Sequence, residues 1–108
     1  MLKIGFLASH NGSSMRAIVD AIAADKLDAQ AKIVISNNPA APALTFAREH
    51  GIAARHISLT ALGPGQETDT AIEFALVEAD VDTVVLSGYM RKLGPRVLNR
   101  FAGRIVNI

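Results

Sequence analysis

The residues of this chain whose types and spacing suit chemistry begin with the loop Ser9-His10-Asn11-Gly12-Ser13-Ser14. Asn11, Gly12, Ser13 and Ser14 combine an amide, two hydroxyls and a glycine that lets backbone come close to a ligand. Placed at a helix start, where unpaired N–H groups and a partial positive charge face outward, such a loop is suited to cradling a phosphate. Arg16 would assist if its side chain turned toward the loop. The plainer reading is a tight turn with Ser13 or Ser14 as N-cap and no ligand. The loop is neither G-x-G-x-x-G nor G-x-x-x-x-G-K-[ST], so a dinucleotide site and a P-loop ATPase are poorly supported.

Other candidates carry less on their own. A lone Asn107 near the chain end reads as a turn former. His50 sits where a helix should end and His56 in or beside a strand. His10 borders the loop, within reach of a phosphate or merely part of the turn. No pair of histidines has metal-ligand spacing, and no metal is expected. There is no cysteine, which excludes a thiol nucleophile, thiolate metal sites and disulfides. Arg91, Lys92, Arg96, Arg100 and Arg104 form a basic cluster with no acid between 91 and 104. It suits either a solvated helix face or attraction of an acidic ligand.

The elements that must position these residues follow from periodicity. Leu2–Ala8, Lys32–Ile35, Ala53–Ile57, Thr83–Leu86 and Arg104–Ile108 are short apolar runs that read as strands. Between them lie a helix from Met15 with a face of Ile18, Val19 and Ile22, and a helix over Ala40–His50 closed by Gly51. A third helix has a face of Ile72, Ala75, Leu76 and Ala79. A fourth opens at Gly94-Pro95 and ends near Gly103. Regular alternation predicts one α/β domain over 1–108, a Rossmann-like parallel sheet flanked by helices, in strand order 3-2-1-4-5. Ligands of such sheets bind at the carboxyl ends of the strands beside the switch point, here between the first and fourth strands.

Composition agrees. Of 108 residues, 50% are hydrophobic and 19% charged, as in a compact globule. A net charge of +1 predicts no attraction to nucleic acid. No apolar run reaches the roughly 18–20 residues that span a bilayer, so no membrane partner is expected. The opening residues read as a buried strand rather than a secretory signal. The lack of cysteine is compatible with the cytosol, and a cytoplasmic location is expected.

Three segments, SHNGSSMRAI, VVLSGYMRKL and GRIVNI, occur in an order and spacing that resemble the glycinamide ribonucleotide formyltransferases of purine biosynthesis. IVISNNPAAPAL and GIAARHI fit the same family, and the resemblance covers essentially the whole chain, about the N-terminal half of that family's length. It implies that Asn11, Gly12, Ser13 and Ser14 hold the ribonucleotide phosphate, with Ser14 standing where the family usually has Asn. It implies that the co-substrate 10-formyltetrahydrofolate lies against Met90, Arg91, Lys92 and Leu93, largely on backbone. It further implies that Asn107 belongs to a catalytic trio of Asn, His and Asp. In that trio Asn and protonated His donate to the oxyanion formed when the substrate amine attacks the formyl carbon. The family's His follows its Asn by two residues, beyond Ile108, and the Asp lies farther on, so the 108 residues alone are expected to be inactive. An Arg that the family often carries before the third helix is replaced by Gly63-Pro64-Gly65-Gln66. The alternatives are a non-catalytic phosphoribosyl- or nucleotide-binding module and another enzyme of the same fold, such as formyltetrahydrofolate deformylase. Ile105, Val106 and Ile108 on a last edge strand also predict self-association, as a homodimer or as aggregation.

Overall fold

A computed structural model describes residues 1–58 and 67–108. The Gly63-Pro64-Gly65-Gln66 stretch lies outside them. Five parallel strands run in the order β3-β2-β1-β4-β5, as expected. They are β1 (Leu2–Leu7), β2 (Ala29–Ser36), β3 (Ala53–His56), β4 (Thr83–Leu86) and β5 (Ile105–Asn107). Helices α1 (Ser13–Ala23), α2 (Pro42–Glu49), α3 (Thr68–Glu78) and α4 (Pro95–Arg100) connect them.

Because side chains alternate along a strand, each run feeds two cores. Ile4, Phe6, Ala8 and Val34 pack beneath α1 and α2 with Met15, Leu44 and Phe46. Leu7, Ile33, Ile35 and Val84 pack beneath α3 and α4 with Ile72, Leu76, Val97 and Phe101. Both faces are covered, which is why the central strands read as unbroken apolar runs.

Several element ends differ from the sequence reading, and three of them have a plain physical reason. β2 begins at Ala29, not Lys32, because Ala29, Gln30 and Ala31 pair with Leu2, Lys3 and Ile4 of β1. That long-range ladder overrides the weak strand character of an Ala-Gln-Ala run. Helix α1 starts at Ser13, two residues before the apolar face begins. Helix α4 stops at Arg100, and Gly103 turns the chain into β5 with φ of 75°.

Candidate functional site

At the carboxyl ends of β1 and β4, the switch point, the chain forms a cleft of about 280 Å³. Its lining includes His10, Asn11, Gly12, Ser13 and Ser14 on one side and Ser87, Gly88 and Met90 on the other, with Ile108 at its edge. All four residues expected to hold a phosphate therefore meet in one concavity.

Local geometry explains their arrangement. Gly12 is the residue before α1 and has φ of 66°, the left-handed region that favours glycine. Ser13 and Ser14 are the first two residues of the helix, so neither is its N-cap, a correction to the sequence reading. A Cβ on Gly12 would sit 3.0 Å from Met15 Cε. Any side chain here strains the backbone as well as narrowing the cleft, so Gly12→Val should disturb the fold as well as the cleft. Among the described residues, the N–H groups of Gly12, Ser13 and Ser14 meet no protein acceptor. They remain donors for a ligand.

Arg16 does turn back, but toward the loop rather than into the cleft. Its Nε donates to the Asn11 carbonyl at 2.9 Å and its Nη2 to Asn11 Oδ1 at 3.2 Å. Its guanidinium lies 4.6 Å from the Phe46 ring centroid, and that ring stacks on His50. With Oδ1 engaged by Arg16, the Asn11 side chain keeps its NH₂ group, a pure donor, for an anion.

Ser9, Ser36 and Ser87 are buried at the carboxyl ends of β1, β2 and β4. The Ser9 hydroxyl accepts the Met90 N–H at 2.7 Å and donates to Asn37 Oδ1 at 2.6 Å. The Ser87 hydroxyl accepts the Met15 N–H at 3.1 Å and lies 2.6 Å from Ser14 Oγ. The loops after β1 and β4 thus hold each other through strand-end serines. Sequence reasoning missed Ser87, although one signal was visible: a serine directly follows LKIGFLA and TVVL and closes KIVI.

The four residues expected to meet folate divide between places. Met90 faces the cleft just described. Arg91 and Lys92 line a second cavity of about 500 Å³, with His56, Thr68, Asp69 and Tyr89 also in its wall. Leu93 packs against the α3–α4 core. Thr68 Oγ1 is buried there without a hydrogen-bond partner among the described residues. Burial holds the Tyr89 phenol above its usual pKa, opposed by the nearby Arg91 charge.

The basic cluster is split as well. Glu73 of α3 reaches Arg96 at 3.7 Å and Arg100 at 3.2 Å, so these two belong to an ion-paired helix face. The absence of acids was true of neighbours in sequence and not of neighbours in space. Asp69 accepts the N–H groups of Arg96 at 2.8 Å and Val97 at 3.1 Å, capping α4 from α3. A Cβ at Gly94 would overlap that carboxyl, which is why a glycine precedes α4.

Asn107 pairs in register with Leu86 at the outer edge of the sheet and is exposed. It lies between Val106 and Ile108, exposed by 47% and 59%. Ile105 is partly covered by the α3–α4 core, so the apolar edge is smaller than the sequence suggested.

Residues 2–108 match the family model described as formyl transferase. The chain belongs to the formyl transferase family. It is 35% identical to a phosphoribosylglycinamide formyltransferase of Escherichia coli, over 99% of this chain and 50% of that protein. It is 34% identical to the human trifunctional purine biosynthetic protein adenosine-3, over 98% of this chain and 10% of that one. A glycinamide ribonucleotide transformylase 1 from Symbiobacterium toebii superposes with a TM-score of 0.92 at 34% identity, over 99% of this chain and 50% of that one. The chain spans about half the length of these bacterial family members.

Proposed function

We propose that this chain carries the phosphate-binding face, and part of the folate-binding face, of an enzyme that transfers a formyl group to the amine of glycinamide ribonucleotide. The observation that carries this reading is the cleft at the switch point. There, family membership coincides with a cradle of the Gly12, Ser13 and Ser14 N–H groups, which meet no acceptor among the described residues, with two hydroxyls and the Asn11 amide. Donors of this kind at a helix N-terminus favour a dianionic phosphate over a neutral group.

10-Formyltetrahydrofolate would supply the formyl group. The residues present suit it: an apolar cavity with Arg91 and Lys92 in its wall, and a buried Thr68 hydroxyl that has no partner among the described residues. Arg91 and Lys92 would attract the acidic tail of a folate, and Thr68 would satisfy its hydroxyl on a polar ligand atom. Asn107, at the carboxyl end of β5 beside Leu86, would donate its amide N–H to the developing oxyanion. The histidine and aspartate implied by the resemblance have no matching positions in residues 1–108.

Titration of the chain with glycinamide ribonucleotide tests the reading. Binding is expected, with about tenfold weaker affinity in Asn11→Ala, the loss of one hydrogen bond to a charged group. Equal affinity before and after the substitution would place the phosphate elsewhere.

A further inference from the structure

Helix α1 has a cap that does not come from its own sequence. In an ordinary helix the residue before the first turn folds its side-chain oxygen over the N–H groups of the second or third residue. That oxygen then occupies the space an anion would need. Here the position is Gly12, which has no side chain and a left-handed backbone. The third N–H, that of Met15, is taken instead by Ser87 at the end of β4, 72 residues away.

We infer that Ser87 is a positioning residue for the phosphate cradle: it caps α1 from below and leaves the ligand side of the helix start open. Its Oγ accepts the Met15 N–H, and among the described residues its other partner is Ser14 Oγ, 2.6 Å away, so the proton of this buried hydroxyl is satisfied when Ser87 donates to Ser14. Ser14 is then an acceptor on its inner side, and its proton points outward to the anion. The relay runs from the Met15 N–H through Ser87 to Ser14, each hydrogen bond polarising the next. Ser87 lines the cleft yet is only 2% exposed, so its hydroxyl is bonded to protein rather than to bulk water. The inference rests on the proposed phosphate reading of Asn11–Ser14 and assigns to Ser87 a role that neither its position in sequence nor the loop motif contains.

The experiment compares affinities for glycinamide ribonucleotide and for the same nucleoside without its phosphate. The set is the unsubstituted chain, Asn11→Ala, Ser14→Ala, Ser87→Ala and the double variant Ser14→Ala/Ser87→Ala. Ser87→Cys, which preserves volume but accepts and donates weakly, serves if Ser87→Ala does not fold; circular dichroism decides that. Ser87→Ala or Ser87→Cys should weaken ribonucleotide binding about tenfold and leave the nucleoside unaffected, since Ser14 Oγ is released from its orientation toward the phosphate, a loss of about one charge-assisted bond, while the Met15 N–H loses its acceptor. The double variant should bind no worse than the weaker single variant, because the two hydroxyls act as one relay. Unchanged ribonucleotide affinity, or equal losses for both ligands, overturns the role of Ser87 while Asn11→Ala still reports on the cradle. Indifference of binding to Asn11→Ala overturns the cradle and the inference together.

Discussion

Replacing Asp69 with alanine should remove the cap of α4. Three facts set the magnitude. Gly94 offers no capping side chain and Pro95 has no N–H, so the first N–H groups that need an acceptor are those of Arg96 and Val97. Both are supplied by the Asp69 carboxylate, at 2.8 and 3.1 Å. Deleting a capping side chain costs about 1–2 kcal/mol, and the negative charge beside the positive end of a helix adds in the same direction. For a chain of this size, each kcal/mol moves the melting temperature by about 4–8 °C, so a loss of roughly 5–15 °C is expected. Glu73→Ala is the comparison. It removes contacts to Arg96 and Arg100, whose side chains are more than half exposed, and should cost under about 1 kcal/mol. Thermal unfolding followed by circular dichroism reads both. If Asp69→Ala melts no lower than Glu73→Ala, the carboxylate is not acting as a cap.

Gly12→Ala should destabilise the fold by about 1–3 kcal/mol, from the left-handed backbone and the close approach of Met15, and chemical denaturation will show this as a lower midpoint. Tyr89 is the only tyrosine and there is no tryptophan, so phenolate absorbance reports on it alone. Burial raises its pKa, so the neutral phenol is favoured by folding. The stability it contributes is complete below the ordinary tyrosine range and is lost as pH rises through the higher folded value. A midpoint at or below the ordinary value would contradict that placement. Val106 on the edge strand β5 and Ile108 just after it are exposed, so sedimentation of the 108-residue chain should reveal concentration-dependent association that Val106→Lys with Ile108→Lys suppresses.

The strands and helices were legible in the sequence because parallel strands buried on both faces must be apolar throughout, and the helical faces between them keep a different period; their regular alternation then gave the parallel sheet. The loop that lines the cleft was legible because a glycine followed by two serines opens a helix directly after such a strand. What escaped were contacts between residues far apart in sequence. Ser87 read only as the start of a loop, because nothing local says that its hydroxyl meets Met15. The Arg96–Glu73–Arg100 group read as unneutralised for the same reason: its acid comes from another helix. Ser13 and Ser14 suggested a cap by residue type, yet the left-handed Gly12 moves the helix start ahead of them. Ala29–Ala31 lacked strand character and became a strand only through pairing with β1.

The most direct test of the central claim is to follow the backbone amide resonances of the chain while glycinamide ribonucleotide is added. Among the described residues the N–H groups of Gly12, Ser13 and Ser14, at the start of α1, meet no protein acceptor, so their resonances should move farthest and saturate together. Inorganic phosphate should move the same three more weakly. If these amides stay still while others shift, the phosphate is not held at the start of α1 and the account is wrong.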